Sequence, residues 1–481
     1  MPYGRGVPTD ESFVCDAVFT PGLPLYDKLF WRRFHGRRLL NYIEATNWIK
    51  NIERAGSDYG IERMRELLVL LGEPDRGIKA VHIAGTNGKG SVSAYLTSIL
   101  KEAGYKVGTY NSPSVFRYNE RWLLNGEPLS DELVAKYLTI VRDTIEAEQK
   151  LRDAFGLGKF LPTAFEIETA VMFLAFFEAE CDICVIETGL GGRWDATNVM
   201  YEKELAVITP IGLDHVQILG NTLGEIASEK AAIIKDVGVT LEQAPEIMQE
   251  IRHPFDIEGD KKVTRNPRIE IASQPVFLSA DVTGQEFVYD GDKYRISMLG
   301  RHQIDNASLA ICAVKELRKK HWQIDDDALK RGLEKTVWHA RLEVVKNAEQ
   351  RFNIIVPTGK TLVFDGSHNP HGAKTLADGM REFFSSKPIA LVLGILKDKD
   401  YEGVVRTLIP FAKQVVCITP PSPRALENVE LKKVVERVAN EQNLNIQIET
   451  NSDIKSAVQT ALNGECEVVV LCGSLTLFSA L

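Results

Sequence analysis

A glycine-rich loop that contains one lysine is the part of this sequence best suited to binding a polyphosphate. The loop, Gly-Thr-Asn-Gly-Lys-Gly-Ser, lies between an apolar run that predicts a strand and a periodic run that predicts a helix. Glycines let several backbone N–H groups point at one ligand, the start of a helix carries partial positive charge, and Lys89 adds a full charge. We therefore expect the loop to hold the phosphates of a nucleotide. Its residues are Gly85, Thr86, Asn87, Gly88, Lys89, Gly90 and Ser91.

The loop differs from the common phosphate-binding motif at two positions. The pattern G-x-x-x-x-G-K-[S/T] requires a glycine where this chain has Ile83, and a hydroxyl residue directly after the lysine, where it has Gly90. Three glycines can also form a tight turn between a strand and a helix without binding anything. The strand before the loop, the helix after it and the position of Lys89 favour a nucleotide site.

Three polar residues follow predicted strands and are candidates for a metal site. Ser112, Glu187 and His215 each stand just beyond an apolar run. The carboxyl ends of parallel strands meet at one edge of a sheet, and Mg²⁺, which bridges phosphate oxygens, prefers oxygen ligands. Each residue also has a simpler explanation: Ser112 is a turn residue before a proline, Glu187 caps the end of a strand, and His215 is a hydrogen-bonded loop histidine. Their shared edge favours the metal site.

Four other residues remain open from spacing alone. Lys230 follows a glutamate on a predicted helix, and a surface lysine that pairs with acids of the same helix is the favoured interpretation. Asp365 and His368 form a general acid and base pair, a group that organises an ion, or a simple turn. Arg341 is a hinge residue or a phosphate clamp, since guanidinium groups match phosphate oxygens.

An alternation of short strands and helices must position these residues, and it predicts an α/β fold with parallel sheets. At 481 residues the chain exceeds one ordinary domain. We place an irregular N-terminal extension at residues 1–35, a nucleotide-binding domain at 36–337 and a smaller C-terminal domain at 338–481. The region from residue 236 to residue 297 is predicted to be strand-like and rich in turns.

Composition and charge exclude several classes of protein. The hydrophobic content of 44% and charged content of 26% are typical of a globular protein. A net charge of −9 without a strongly basic block argues against nucleic-acid binding. No apolar run is long enough to span a membrane and the N-terminus lacks a signal-peptide core, so we expect a cytoplasmic protein, with a mitochondrial pool left open. Seven scattered cysteines, including the pair Cys181 and Cys184, favour buried free thiols over a metal or redox site.

Eight groups of short motifs, taken together and in order, resemble the dihydrofolate synthase and folylpolyglutamate synthase family, which is related to the Mur peptide ligases. They cover most of the chain from about residue 40, and jointly they are far more specific than the phosphate loop alone. The motifs are HIAGTNGKGS (82–91), NSP (111–113), FE (165–166), ETGLGGRWDATN (187–198), LDH with SEK (213–215 and 228–230), GRHQIDNA (300–307), WHAR (338–341) and FDGSHNPHG (364–372).

The resemblance implies a central ATPase domain of the Mur ligase type, built on a phosphate loop, and a smaller Rossmann-like C-terminal domain. ATP is expected between the two domains, together with Mg²⁺ and, as a further candidate, a monovalent cation. The implied reaction forms an amide: an acceptor carboxylate attacks the γ-phosphoryl group, and the amine of L-glutamate displaces phosphate from the resulting acyl phosphate. The resemblance also implies that Lys230 is carbamylated, which reverses the surface interpretation.

The family's functional positions fall on particular residues of this sequence. The resemblance implies catalytic roles for Lys89, His215, Lys230, Asp365 and His368. It implies that ATP contacts the phosphate loop together with Asn306, Arg341 and Asp365, and that the metal contacts Ser112, Glu187 and His215. The positions that resemble the pterin-binding site are Asp58, Tyr59, Gly60, Ile61, Thr163, Phe165, Glu166, Trp194 and Asp195.

The acceptor is harder to assign. Asn87 and the run from Arg193 to Asn198 resemble dihydrofolate synthases and bacterial bifunctional enzymes, which favours dihydropteroate over a reduced folate. The expected partners are ATP, L-glutamate and one of these two acceptors, and we expect a monomer. Departures from the family pattern bear on the acceptor and on motion of the linker. Ser114 stands where the family commonly has a histidine, Ala232 where it usually has a glycine, and His339 and Ala340 where Pro-Gly is typical. Residues 347–360 also look like an insertion.

Two other functions remain open from the sequence. A related ligase that joins an amino acid to a non-folate carboxylate would keep the ATP motifs and lose selectivity for a pterin. A nucleotide-binding regulator would keep the loop without catalysis. The joint presence of Glu187, His215, Lys230, Asp365 and His368 argues against the regulator, because nucleotide binding alone does not require them.

Overall fold

The computed structural model describes residues 38–52, 60–258 and 261–481, so the predicted N-terminal extension lies outside the described residues. The chain forms two compact units, and neither is one continuous segment. Unit 1 consists of the chain up to Ile78, Leu129–Cys181 and Trp194–Glu202, and unit 2 consists of Lys79–Pro128, Asp182–Arg193 and Lys203–Leu481.

Helices occur in both units. They are α1 (Tyr42–Lys50), α2 (Glu62–Leu70), α3 (Lys89–Glu102), α4 (Asp131–Ala154), α5 (Ala164–Glu178), α6 (Val216–Leu219), α7 (Leu223–Ala231), α8 (Pro245–Arg252), α9 (Arg301–Lys319), α10 (Asp326–Lys335), α11 (Ala348–Phe352), α12 (Pro370–Phe384), α13 (Tyr401–Leu408), α14 (Asn428–Glu441) and α15 (Ile454–Asn463).

Strands form the sheets of unit 2. They are β1 (Lys79–Ala84), β2 (Val107–Tyr110), β3 (Trp122–Leu124), β4 (Glu127–Pro128), β5 (Ile183–Glu187), β6 (Glu202–Ile208), β7 (Val237–Thr240), β8 (Phe255–Glu258), β9 (Lys261–Thr264), β10 (Arg268–Ile271), β11 (Val276–Asp281), β12 (Gly284–Tyr289), β13 (Asp292–Ile296), β14 (Glu343–Val344), β15 (Thr361–Phe364), β16 (Ile389–Leu393), β17 (Ala412–Cys417), β18 (Gln447–Thr450) and β19 (Val468–Cys472).

Unit 1 is helical and is built around α5. Its sequence, AFEIETAVMFLAFFE, is apolar on nearly every side, and every residue from Glu166 to Phe176 is buried. A helix that is apolar all round requires neighbours on all sides. Helices α2 and α4 pack against α5, and α1 packs against α4.

The large sheet of unit 2 has the strand order β10-β7-β6-β1-β5-β2-β3-β4. Strands β1, β5 and β2 run parallel, and β3 and β4 add an antiparallel edge. The parallel strands are nearly continuous apolar runs, as expected where helices cover both faces. Helices α3, α9 and α10 share one hydrophobic core with this sheet. The loops after β1, β2, β5 and β6 all leave the same edge.

A second, six-stranded sheet follows, with the order β14-β15-β19-β16-β17-β18. Its pairs are parallel except that of β14 with β15. Helices α12, α13 and α14 cover one face, and α15 covers the other. The predicted α/β fold is confirmed, and the predicted alternation of strands and helices continues through the elements of this sheet. The domain boundary at residues 337 and 338 stays a prediction.

Three sequence predictions of local structure were wrong. The apolar period of the sequence predicts a helix that begins at Ser91, but helix α3 begins at Lys89, because Gly88, with φ +89°, ends the loop in a left-handed conformation. The sequence from residue 300 to residue 317 predicts a loop followed by an apolar helix with Asn306 at its start, but helix α9 begins at Arg301, so Asn306 lies in its second turn. Helix α8 interrupts the region predicted to be strand-like. It is eight residues long, shorter than the stretch over which a helical period is counted, although its buried side chains Ile247, Met248 and Ile251 share one face.

The cysteine prediction is confirmed among the described residues, where six cysteines are free thiols and all but Cys181 are buried. The described residues contain no group of three or more histidine, cysteine or acidic side chains placed to hold a metal ion. Among the described helices, none has the length and apolar character that crossing a lipid bilayer requires.

Candidate functional site

The phosphate loop is held in place by the loop that follows β6. The backbone N–H groups of Thr86 and Asn87 donate to the Pro210 carbonyl oxygen at 3.1 and 3.3 Å. The Thr86 hydroxyl donates to the Gly212 carbonyl oxygen and accepts from the Gly212 N–H, both at 3.0 Å. The Thr86 hydroxyl therefore has a structural function, because it joins the loop after β1 to the loop after β6 at this edge of the sheet.

Two glycines allow other segments to approach the loop. A Cβ atom at Gly88 would overlap the side-chain oxygen of Asn306, and one at Gly90 would lie 2.7 Å from the ring of Trp338. The Asn306 amide donates to the Gln303 side-chain oxygen at 3.0 Å, which fixes its orientation. The structure thus brings Asn306 of α9 to the phosphate loop, and its contact with ATP, which the family resemblance implied, stays a prediction.

Lys89 and Glu187 form an ion pair at the end of the central strands. The Lys89 Nζ lies 3.6 Å from Glu187 Oε1 and also donates to the Gly85 carbonyl oxygen at 3.2 Å. Burial raises the pKa of the Glu187 carboxyl, while the charges of Lys89 and Arg341 and the N–H of Ser112 act to lower it. Cationic groups from the phosphate loop and from the linker to the second sheet therefore act on one buried carboxylate.

Lys230 is buried, which excludes the surface interpretation of this residue. Only 5% of its surface is exposed, and its Nζ donates to the Gly85 carbonyl oxygen at 2.8 Å. The end of α7 comes close to the loop after β5, because a Cβ atom at Gly192 would lie 2.7 Å from the Glu229 carbonyl oxygen and 2.9 Å from that of Lys230. Glycine is required at Gly192 for this approach.

Arg193 anchors α7 and thereby places Lys230. Its guanidinium binds the Glu229 carboxylate at 2.9 Å and the Ser228 carbonyl oxygen at 3.1 Å, and it stacks on the ring of Phe255 at 4.0 Å. It also donates to the carbonyl oxygen of Phe255. Arg193 lies in one of the motifs that resemble the family, but the spacing of residues in the sequence did not show that it anchors α7.

The three predicted metal ligands are only partly brought together by described contacts. The Ser112 N–H bonds to the Glu187 carboxylate. His215 lies before α6 with φ +49°, its side chain is half exposed, and its Nε2 is 3.8 Å from Asp214. A buried carboxylate and a serine hydroxyl are the oxygen donors that Mg²⁺ prefers, so these residues fit a magnesium ion, whereas an imidazole is a less usual ligand. The metal assignment stays a prediction.

Asp365 is directed to the linker rather than to His368. Its carboxylate accepts from the Leu342 N–H at 2.8 Å, from the Ser367 N–H at 2.9 Å and from the Ser367 hydroxyl. The His368 Nδ1 lies 2.9 Å from the Gly366 carbonyl oxygen, and burial lowers the pKa of this histidine. The described hydrogen bonds do not join the two side chains, so the geometry gives no support to an acid and base pair.

The linker that carries Arg341 has an unusual backbone. Ala340 and Leu342, on either side of Arg341, have φ of 54° and 49°, a left-handed conformation that costs most residues about 1 kcal/mol. The Ala340 carbonyl oxygen accepts from the Gly366 N–H at 2.8 Å and from Arg341 Nη1 at 3.1 Å. These bonds, with that of Asp365 to Leu342, hold Arg341 where its charge acts on Glu187.

Two histidines in this region were missed by the sequence reasoning, although both stand inside quoted motifs. Burial lowers the pKa of His302 to about 4, and the charges of Arg341 and His371 act in the same direction. The His371 Nδ1 lies 3.4 Å from the Asn87 side-chain nitrogen. Helix α12 of the second sheet therefore contacts the phosphate loop.

Some of the predicted pterin positions form the start of α5 in unit 1. Thr163 caps this helix and receives the Glu166 N–H at 3.2 Å, while the Glu166 carboxylate receives the Thr163 N–H at 2.6 Å. Arg63 binds both oxygens of that carboxylate, at 2.9 and 3.1 Å. Phe165 is half-buried. These polar groups already have protein partners, and a pterin contact at Glu166 stays a prediction.

The other pterin positions are spread over two segments of the same unit. Asp58 and Tyr59 lie outside the described residues, and Gly60 and Ile61 directly precede α2. Trp194 is half-buried, and Asp195 caps a short turn by accepting from the Thr197 N–H at 3.0 Å. Contacts of these residues with a ligand stay predictions.

Comparison with known proteins identifies two matching domain models. Residues 154–314 match the Mur ligase middle domain, and residues 350–475 match the Mur ligase, glutamate ligase domain. A dihydrofolate synthase/folylpolyglutamate synthase of Bacillus subtilis (strain 168) is 37% identical over 450 residues, which cover 91% of this chain and 97% of that protein.

Two solved structures are similar over nearly the whole chain. A folylpolyglutamate synthase from Thermotoga maritima is 30% identical with a TM-score of 0.75, covering 91% of this chain and 95% of that one. A Mycobacterium tuberculosis folylpolyglutamate synthase, complexed with ADP and AMPPCP, is 29% identical with a TM-score of 0.74, covering 92% of this chain and 98% of that one.

Proposed function

The chain belongs to the dihydrofolate synthase/folylpolyglutamate synthase family of ATP-dependent ligases, and we propose that it joins L-glutamate to a pterin carboxylate with dihydropteroate as the preferred acceptor. The observation that supports this most strongly is the Lys89 and Glu187 pair at the phosphate loop, on which the charge of Arg341 also acts. These are the groups that a phosphoryl transfer to a carboxylate requires.

The proposed reaction has two steps. The acceptor carboxylate attacks the γ-phosphorus of ATP and releases ADP, which gives an acyl phosphate. The amine of glutamate then attacks the acyl carbon and phosphate leaves. Negative charge builds up on the phosphoryl oxygens, where Lys89 and Arg341 stabilise it from fixed positions. A bound magnesium ion, held by Glu187, Ser112 and His215, would neutralise further phosphate charge.

The proposed carbamylation of Lys230 would place an additional carboxylate at the base of the phosphate loop. The family resemblance supports it, and a carbamate would keep one N–H for the bond that the Lys230 nitrogen makes to the Gly85 carbonyl oxygen at 2.8 Å. The bonds of Arg193 to Ser228 and Glu229 keep this end of α7 in position. A monovalent cation is a further proposed ligand.

Dihydropteroate is proposed as acceptor because of Asn87 and the Arg-Trp-Asp-Ala-Thr-Asn run, and the Bacillus subtilis relative, whose name gives both dihydrofolate synthase and folylpolyglutamate synthase, is consistent with either acceptor. A cytoplasmic location and a monomeric state are proposed with it. Phosphate release from ATP and glutamate should be measured with dihydropteroate and with tetrahydrofolate, and the product identified by mass. Faster release with tetrahydrofolate would reverse the acceptor assignment, and no glutamylated product with either would overturn the function.

A further inference from the structure

A polar layer lies beneath the phosphate loop, between α3 and the sheet, and it contains side chains without partners. Ser93 and Asn111 are 0% and 2% exposed. The Ser93 hydroxyl oxygen and both polar atoms of the Asn111 amide lack any hydrogen-bond partner within the described part of the chain. A buried polar atom left unpaired is destabilising, so three such atoms in one place require an explanation.

Strand register places Asn111 beside Glu187. Strands β2 and β5 are parallel, and Tyr110 is paired with Ile186, so the next residue of each strand follows in register. The chain is still extended at Asn111, whose N–H donates to the Arg121 carbonyl oxygen at 3.0 Å. Residues side by side on neighbouring strands leave the sheet on the same face. Asn111 and Glu187 therefore share the face that α3 covers.

Helix spacing places Ser93 in the same layer. One level deeper, the hydroxyl groups of Thr97 on α3 and Thr109 on β2 lie 2.6 Å apart. Ser93 is one helical turn before Thr97, and Asn111 is two strand residues after Thr109. Helix α3 runs antiparallel to the strands it covers. The step from Thr97 to Ser93 and the step from Thr109 to Asn111 therefore both lead about 6 Å toward the carboxyl-terminal edge of the sheet. Ser93, Asn111 and Glu187 thus form the layer directly above the two threonines.

We propose that Ser93 and Asn111 hold one ordered water molecule against the Glu187 carboxylate. By holding this water, Asn111 acts as a positioning residue for the carboxylate. A hydroxyl, an amide nitrogen and an amide oxygen supply both donors and acceptors, and buried waters typically make about three hydrogen bonds. The water completes the polar layer and leaves Glu187 facing Lys89 and the N–H of Ser112. The part of the proposal that concerns metal affinity rests on the proposed assignment of Glu187 as a metal ligand.

A crystal structure of the whole protein with AMPPCP tests the water site directly. We expect a water within about 2.7–3.2 Å of the Ser93 hydroxyl, the Asn111 amide and a Glu187 oxygen. A direct hydrogen bond between Ser93 and Asn111, with no water present, would overturn the proposal.

Binding of Mn²⁺ in the presence of AMPPCP, followed by the electron paramagnetic resonance signal of free Mn²⁺, tests the positioning function. Asn111→Leu keeps the number of side-chain heavy atoms and the branch at Cγ and removes the unpaired polar atoms, so it should fold and should bind Mn²⁺ about 10–100-fold more weakly, as loss of an outer partner of a metal ligand does. Ser93→Ala should act in the same direction. Thr109→Val, on the same strand and face, is the matched control and should keep wild-type affinity.

Each result has one meaning. Wild-type affinity in both Asn111→Leu and Ser93→Ala would overturn the positioning function. Absence of Mn²⁺ binding in the wild-type protein would instead contradict the proposed metal assignment, and the crystal structure would then decide the water site alone.

Discussion

The Lys230 ammonium group donates a hydrogen bond to the carbonyl oxygen of Gly85 at 2.8 Å, across 145 residues of sequence. This bond joins the end of α7 to the first residue of the phosphate loop. Gly85 also receives the Lys89 ammonium at 3.2 Å, so one carbonyl oxygen lies between two lysines. Substitution of Lys230 therefore changes the loop as well as removing any carbamate.

Lys230→Ala should reduce turnover by at least about 100-fold, because the effect of a fixed charged group on phosphoryl transfer is of that order. If Lys230 acts as a carbamate, added formate or acetate should partly restore phosphate release to this variant, whereas Lys230→Arg should not respond. Steady-state phosphate release with and without the added acid measures this. Equal responses of the two variants would contradict the carbamate.

Lys89→Ala should abolish turnover and leave the fold intact. It removes the cation that lies 3.6 Å from the buried Glu187 carboxylate, so the pKa of Glu187 should rise further and stability should fall by roughly 1–3 kcal/mol. Phosphate release and the thermal unfolding midpoint measure the two effects. Lys101→Ala, at an exposed position on the same helix, should leave both near wild type. Full activity in Lys89→Ala would remove the site assignment.

Gly88→Ala should weaken ATP binding by more than 10-fold. Its φ of +89° costs an alanine about 1 kcal/mol, and the new methyl group would displace the Asn306 side chain. Gly104→Ala is the matched control, because its φ of +91° carries the same backbone cost in open space. We expect both variants to lose similar backbone stability and only Gly88→Ala to lose ATP affinity, measured by calorimetric titration with AMPPCP.

The sequence predicted the sheets well because buried parallel strands leave an unmistakable apolar signal. The run Val-Val-Val-Leu-Cys of β19 and the glycine loop after β1 have few alternative interpretations. Three strand ends with polar residues followed from the same signal, since parallel strands share one edge. Local sequence patterns were sufficient to predict structure wherever a residue's contacts are with residues close to it in the sequence.

Side-chain function was harder to predict because it depends on contacts between distant segments. Spacing on α7 could not show that Lys230 faces Gly85, and a surface position was favoured before the family resemblance was considered. The sequence left Asp365 open as part of an acid and base pair, an ion-organising group or a turn, and its partners in the structure are the backbone N–H groups of Leu342 and Ser367 and the Ser367 hydroxyl. Neither the contact of Lys230 with Gly85 nor that of Asp365 with Leu342 has a signature in the sequence near the residue, whereas the bonds of Asp365 to Ser367 match the turn that the sequence offered.

Asp365→Asn separates positioning from proton transfer. An amide in place of the carboxylate can keep only part of the bonds to Leu342 and Ser367, so the linker and Arg341 should lose their fixed positions. We expect the KM for ATP to rise several-fold while the shape of the pH profile of kcat stays unchanged. Disappearance of one limb of that profile would show that Asp365 transfers a proton.

His302 should make the protein less stable in acid. Burial lowers its pKa to about 4 in the folded protein, below the ordinary value of 6.5, so the folded state holds this histidine neutral. A group with a lowered folded pKa contributes its full stability above pH 6.5 and loses it as the pH falls toward 4, by about 3 kcal/mol in all.

His302→Gln removes the titration, and the difference in unfolding midpoint between wild type and variant should shift in favour of the variant between pH 6.5 and 4. Acidic groups that titrate in both proteins, including Glu187 with its raised pKa, cancel from this difference. A flat difference for His302→Gln would mean that His302 accepts a proton in the folded state as readily as in the unfolded chain.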